Sequence, residues 1–385
     1  MIRNFKRKTG LAVLLLSGAA SAFATDVEWS ERMRRMLESF GTLAPYIYGT
    51  AAFENPLNKP AIVEEITRFE KIARNLHMKA ASPKQSGDPS LPLVAGRLET
   101  DLADALSAFK ADNREYARYK LKRLSRNCFQ CHSQGSKGPE FGAFNLRINE
   151  ANLKPMELAE IFVATRQFDR ALESMQTIVE SKSVAQEDRF AYQRAVRNYL
   201  AIAVRVKGDP KLAQGLVEKL RANPNAAEYL KDDAVHWGRS LDAWAMESKR
   251  GKQDKFQKAL RLVTQARKLQ EYPFDGGADV LYLRATALLH EYLETTHEKQ
   301  KMSEAMYHLG RCYEVLSDIG QWFLQDTYYE ACVRNTPKTE IAKRCFQRYE
   351  FSVFAGFSGS GGVFLPDNER EKLNELRTLA LGAKN

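Results

Sequence analysis

Residues 114–132 read REYARYKLKRLSRNCFQCH, and this stretch decides how the rest of the chain is interpreted. Small and apolar side chains recur along it at steps of four, three, four and three, at Ala117, Leu121, Leu124, Cys128 and Cys131. This spacing is typical of the buried face of an α-helix. We therefore predict a helix whose two cysteines continue the buried face at its carboxyl end.

The last five residues, Cys128-Phe129-Gln130-Cys131-His132, form a Cys-x-x-Cys-His motif. Two thiols three residues apart can add to the two vinyl groups on one porphyrin edge, and the adjacent histidine is then placed to ligate the iron. The motif predicts one covalently attached haem c, with Cys128 and Cys131 as thioether residues and His132 as proximal ligand. Two alternatives fit less well, because a thioredoxin-type pair needs a preceding strand and a zinc site needs a second ligand pair nearby.

Three further amphipathic helices precede this stretch, and strand-like alternation is nearly absent from the chain. The second begins near Pro60, and Asp112-Asn113 marks the end of the third. The first carries one apolar seam, formed by Trp29, Met33, Met36, Phe40, Leu43 and Ile47. Four such helices with fairly short connections predict a four-helix bundle in an all-α fold. The glycine- and proline-rich stretch 135–142 then marks a domain boundary.

Residues 27–135 resemble the cytochrome c′ family and its low-spin relatives. In that family a four-helix bundle ends with Cys-x-x-Cys-His, and helix one carries an arginine, a methionine four residues later, a proline and a glycine. The segment ERMRRMLESFGTLAPYIYG (residues 31–49) supplies Arg32, Met36, Pro45 and Gly49 in that order. The resemblance implies a haem domain over residues 25–140. The chain departs from the family at residues 133–137, where Ser-Gln-Gly-Ser-Lys replaces an aromatic residue and an arginine.

The distal position of the iron decides the function that this domain would have. In the low-spin relatives it is filled by the methionine that corresponds to Met36, and a thioether ligand suits electron transfer. Met36 could equally be an ordinary core residue of the seam, in which case the iron would have a vacant distal side. His77, near the end of the second helix, is a third candidate.

Residues 150–350 read as a succession of helical pairs. Segments such as ATRQFDRALESM (residues 164–175) and YHLGRCYEVL (residues 307–316) resemble tetratricopeptide helices, although no strict period is present. We predict a solenoid-like array of helical hairpins, with a single irregular α-bundle as the alternative. Residues 351–385 are predicted to form a Gly-rich loop and a C-terminal capping helix from Asn368 to about Leu381.

The first 24 residues have the features of a signal peptide: four basic residues, an apolar run over residues 11–20 and a small-x-small cleavage pattern at residues 22–24. A short uncleaved membrane anchor is the alternative. The formal net charge is +10, and removal of the four leader cations would leave about +6. We therefore predict a mildly basic periplasmic protein, not integral to the membrane, with no nucleic-acid partner.

Five cysteines in an exported chain need individual explanations. Cys332 and Cys345 lie on either side of a Thr336-Pro337 break between two helical patterns. They could face each other as a disulfide or remain reduced. Cys312 would be a buried small side chain.

Six basic residues make the motif helix cationic, and they could steer an acidic redox partner, offset haem propionates or form a solvated helix face. They are Arg114, Arg118, Lys120, Lys122, Arg123 and Arg126. Our leading functional hypothesis is a non-enzymatic electron-transfer protein whose helical repeats dock partner proteins. The alternative is a five-coordinate haem sensor of nitric oxide or carbon monoxide with the repeats as output module. A peroxidase-type enzyme ranks last, and homodimer formation stays open.

Overall fold

The computed structural model describes residues 16–81, 88–134, 153–247, 254–272, 275–316 and 324–382, apart from the side chains of residues 16–28 and 130. Within these ranges the chain is almost entirely helical, and its strands are the two-residue segments Ser358–Gly359 (β1) and Gly362–Val363 (β2). The predicted all-α fold is therefore confirmed. Residues 1–15 of the predicted signal peptide and the predicted boundary at 135–142 lie outside the described residues.

The described helices up to the motif pack in sequence around one core. They are α1 (Leu16–Tyr48), α2 (Thr50–Glu54), α3 (Lys59–Ala73), α4 (Leu76–Ala80), α5 (Leu91–Lys110) and α6 (Arg114–His132), with a 3₁₀ turn at Pro56–Asn58. Helix α1 packs on α3, α3 on α5, α5 on α6, and α6 returns to α1. Gly49 follows the end of α1, at a position where an added Cβ would lie 2.6 Å from the Pro45 carbonyl oxygen. The core includes an edge-to-face pair between Phe53 and Phe109, with ring centroids 5.2 Å apart.

The described helices after the motif form a second, larger group. They are α7 (Pro155–Ala164), α8 (Phe168–Glu180), α9 (Lys182–Glu187), α10 (Arg189–Ala201), α11 (Pro210–Ala222), α12 (Glu228–Ala245), α13 (Lys255–Leu269), α14 (Asp279–Thr295), α15 (Lys299–Val315), α16 (Leu324–Asn335), α17 (Glu340–Gly356) and α18 (Asp367–Leu381). Helix α10 continues as a π-helix at Ile202–Val206, and a 3₁₀ turn at Gly276–Ala278 precedes α14. Most successive helices pack on each other, whereas α12 packs mainly on α11, on α14 and on the 3₁₀ turn before α14. The sequence pattern did not predict the π-helix.

The two helical groups are in direct contact at the end of the motif helix. Phe129 of α6 belongs to the apolar core of the second group, whereas Ile161 and Ala164 of α7 belong to the core of the first. Helix α6 packs along α7, and α5 also touches α16. The carboxyl end of α6 is therefore surrounded by residues from both groups.

A buried ionic cluster ties three helices of the second group together. The Arg197 guanidinium of α10 binds Asp233 of α12, with Nη2 2.6 Å from Oδ2, and also Asp279 of α14. All three side chains are less than 9% exposed. Gly276 lies against the same guanidinium, where an added Cβ would be 2.2 Å from Arg197 Nη1. Close approach of the chain to a buried cation thus requires glycine at this position.

The carboxyl-terminal part contains the disulfide that the sequence left open. Cys332 of α16 and Cys345 of α17 are bonded, with their Cα atoms 6.2 Å apart. Cys312 is a buried free thiol, as expected. Helix α17 continues to Gly356, so the glycine-rich loop is shorter than predicted and holds the β1–β2 hairpin. Helix α18 begins one residue before the predicted start and packs on α16 and α17.

Within the described ranges, no helix combines the length and the apolar character that crossing a bilayer requires.

Asp326, in the first turn of α16, gives the fold a measurable pH dependence. Its side chain is buried, no described residue forms a hydrogen bond with its Oδ1 atom, and burial raises its pKa from 3.8 to about 6. The folded state therefore favours the protonated form, so this residue costs stability increasingly as the pH rises from about 4 to about 6. We expect Asp326→Asn to raise the free energy of unfolding at pH 7.5 by about 1–3 kcal/mol.

Guanidinium unfolding followed by circular dichroism between pH 4 and pH 8 measures this effect. Most of the gain should be lost by pH 4, where the folded state holds the proton and the unfolded state holds it about half of the time. Asp367→Asn is the matched control, because that carboxylate is 92% exposed, and it should show little change. A lower stability of Asp326→Asn at pH 7.5 would contradict the expectation.

Candidate functional site

The motif helix α6 begins and ends as its sequence predicts. The Asn113 side chain caps its start by accepting a hydrogen bond from the Tyr116 amide at 3.3 Å. Ala117, Leu121 and Leu124 are fully buried on the seam. The helix ends at His132, so the motif occupies its last turn. Both cysteines continue the buried face, as the spacing predicted.

Cys128, Cys131 and His132 line a cavity of about 390 Å³. The three side chains are half-buried because they form part of its wall. The other lining residues are mostly apolar and come mainly from α1, α3 and α5, among them Trp29, Met33, Met36, Leu37, Phe40, Phe69, Leu91, Val94, Ala95 and Leu98. The volume is in the range of clefts that hold small organic ligands, roughly 300–1,000 Å³. The three motif residues thus line a preformed apolar cavity.

The titratable groups of the motif are neutral in this environment. Burial raises the pKa of the Cys128 and Cys131 thiols to about 12. Burial and the nearby positive charge of Arg166 lower the pKa of His132 to about 4, although the backbone of Val163 and Ala164 partly offsets this. A redox-active dithiol needs a depressed thiol pKa, so the thioredoxin alternative receives no support. A neutral imidazole is the form that ligates a metal.

The motif residues fit a covalently bound haem. Two free thiols and an imidazole border one apolar space. This set of donor groups is the one that covalent attachment and ligation of a haem require. Within the described ranges, no group of three or more His, Cys, Asp or Glu residues could hold a metal ion by itself. The zinc alternative therefore lacks its second ligand pair in that part of the chain.

The structure separates the candidates for the distal position. Met36 of α1 is 8% exposed and lines the cavity, as does Met33 one turn earlier. His77 of α4 is exposed, does not line the cavity, and has its Nδ1 atom 2.8 Å from Oε1 of Glu99. Of these three residues, the two methionines line the same cavity as the motif.

Arg32, matched to the family arginine of helix one, faces elsewhere. Its Nη1 atom donates to the Ile72 carbonyl oxygen at 2.6 Å, and the side chain lines an open cleft between α1 and α3. Arg32 therefore does not line the cavity that the motif residues share.

At least five of the six basic residues of α6 make contacts within the first group of helices, including Arg123 with Asp101 and Lys122 with the Tyr48 ring. Lys120 is buried and binds Asp101 and Asp104, with Nζ–Oδ distances of 2.9 and 2.8 Å. Arg118 donates to the Ile47 carbonyl oxygen, and Arg114 donates to that of Glu54. These residues therefore do not form a solvated helix face, since their contacts hold α6 in place.

The second helical group also contributes to the cavity wall. Ala164 and Arg166 come from the end of α7, and Glu294 comes from α14. Sequence reasoning missed all three, because nothing in their local pattern indicates a contact with a motif that lies more than 30 residues away. The packing of α7 on α6 brings Ala164 and Arg166 there.

Comparisons with protein-family models, with curated proteins and with solved structures find no match to this chain. The site is therefore interpreted from its own residues. They offer two thiols and one neutral imidazole on one wall of an apolar cavity and two thioethers on another.

Proposed function

We propose that this chain is an exported mono-haem c-type cytochrome that transfers electrons and docks its partners through helical repeats. One observation carries the proposal: Cys128, Cys131, His132 and Met36 line the same apolar cavity. A bound haem c would supply a reversible one-electron iron centre. The protein residues would bind the haem, orient it and exclude water from it.

Each residue of the cavity has a defined part in this proposal. The thiols of Cys128 and Cys131 would hold the haem through thioether bonds. His132, with its neutral imidazole, and Met36, with its thioether, would be the residues that ligate the iron. The apolar walls exclude water and hold these side chains in place.

The position of Met36 favours electron transfer over the alternative, a gas sensor with a vacant distal side. Met36 would hold the iron together with His132, and a thioether ligand raises the reduction potential of a haem. We propose no catalytic activity for the chain.

The finer architecture is part of the same proposal. Successive packing of α1, α3, α5 and α6 supports a bundle similar to cytochrome c′, and the run of neighbouring helices from α7 to α17 supports a tetratricopeptide-like array. The Cys332–Cys345 disulfide supports an oxidising compartment such as the periplasm. Together with the basic, apolar leader, it supports export.

Expression in a bacterial host competent for cytochrome c maturation tests the proposal. We expect a coloured protein whose mass exceeds that of the mature polypeptide by one haem and whose colour survives acid extraction. Cys128→Ala combined with Cys131→Ala should abolish the covalent attachment. Cys312→Ala is the matched control, because that thiol is buried away from the cavity, and it should keep the haem. A colourless wild-type protein at its bare polypeptide mass would refute the proposal.

A further inference from the structure

The last turn of the motif helix is held by side chains of the second helical group. Three consecutive residues are bound in this way. Arg166 Nη1 donates to the His132 carbonyl oxygen at 3.0 Å, Arg205 Nη2 donates to Ser133 Oγ at 2.8 Å, and Gln134 Nε2 donates to Tyr328 Oη at 3.3 Å. Arg166, Arg205 and Tyr328 are all buried. The position of the proposed haem ligand therefore depends on the second group.

Arg166 differs from the other two because it also lines the cavity. It follows the end of α7 with φ of 58°, in the left-handed region, and Gln167 N donates to the Phe162 carbonyl oxygen at 2.7 Å. Glycine is the usual residue at such a helix end, and a side chain there costs about 1 kcal/mol. The chain nevertheless places an arginine there.

The surroundings of Arg166 fix its guanidinium against the motif. The side chain is 6% exposed, and its Cζ atom lies 5.1 Å from the centroid of the Phe168 ring. Among the described residues of the lining most are apolar, and the charged ones are Arg166 and the exposed Glu294. A fixed cation in surroundings of low polarity acts on nearby charges far more strongly than it would in water.

We propose that Arg166, supplied by the second helical group, is a positioning residue of the haem site that also raises the reduction potential of the iron. The inference rests on the proposed function. The oxidised iron centre carries one more positive charge than the reduced centre, so a nearby fixed cation disfavours oxidation. The second helical group would then set the redox properties of the first.

Spectroelectrochemical titration of the mature protein tests this role. In Arg166→Met, we expect the ratio of oxidised to reduced protein at a fixed potential to rise about tenfold, equivalent to a fall of ~59 mV for a one-electron couple. Arg166→Lys keeps the charge and should stay within about twofold of the wild type. Arg166→Gly suits the left-handed backbone and serves as a second neutral variant if Arg166→Met does not fold.

Arg377→Met is the matched charge control. It removes a cation of α18 that does not line the cavity, and it should leave the potential within about twofold of the wild type. An unchanged potential in the neutral variants, or an equal fall in Arg166→Lys or Arg377→Met, would overturn the proposal. A wild-type protein that carries no haem would instead refute the proposed function, so the two failures are distinguishable.

Discussion

Replacing Met36 by alanine should convert a low-spin reduced spectrum that ignores carbon monoxide into a high-spin spectrum that responds to the gas. Met36 is the buried thioether of α1 that lines the cavity with the motif, and its removal leaves one face of the iron without a protein ligand. We expect a nearly complete loss of the low-spin form and a fall in reduction potential. Absorption spectra of the reduced protein with and without carbon monoxide measure both states.

Two further variants separate ligation from packing. Met36→Leu keeps most of the buried volume but lacks the sulfur, so it should match Met36→Ala in its spectrum while unfolding less easily. Met33→Ala removes the neighbouring thioether of the same cavity and should remain low-spin. An unchanged spectrum in both Met36 variants would exclude this residue as ligand. A wild-type protein that is already high-spin and binds carbon monoxide would favour the gas-sensor alternative.

Arg197→Met should destabilise the second helical group by about 3–5 kcal/mol, since it leaves two buried carboxylates without their cation. Asp233 and Asp279 both bind this guanidinium at less than 9% exposure. Burial already raises the pKa of Asp233, and loss of the arginine should raise it further. A carboxyl whose folded pKa is raised is stabilised in its protonated form, so the defect should shrink as the pH falls from 7 to 5.

Chemical denaturation at both pH values measures the Arg197 effect. Adding Asp233→Asn and Asp279→Asn to Arg197→Met should recover part of the stability, because no buried charge then remains in the cluster. Arg377→Met, which breaks a partly exposed pair with Glu350, should cost about 0–1 kcal/mol and serves as the control. A loss no larger than that of Arg377→Met would show that the cluster does not stabilise the fold.

The helices were predictable because their apolar spacing is local information. The seam of α6 and the start of α18 follow from side chains three and four residues apart, and the structure has both within a residue of the predicted positions. The loop predicted from Phe351 starts later, because α17 continues to Gly356 and buries Val353 on the same face as Tyr349. At this end of the chain, helical periodicity therefore predicts the end of α17 better than glycine content does.

The contacts that hold the end of the motif helix were not predictable in the same way. The partners of His132, Ser133 and Gln134 lie 34, 72 and 194 residues further along the chain. No local pattern marks such pairs, since each depends on the packing of whole helices. The motif and Met36 could be identified from the sequence, whereas Arg166 required the fold.

The hydrogen bonds between the second helical group and residues 132–134 have a consequence for biogenesis. Once α7 has docked, Cys128 and Cys131 are half-buried, and their thiols face inward with a pKa of about 12. On the proposed function, the attachment machinery must reach both thiols while the translocated polypeptide is still open. A chain that folded before attachment would stay without haem. Maturation would therefore depend on the order of attachment and folding as well as on the motif.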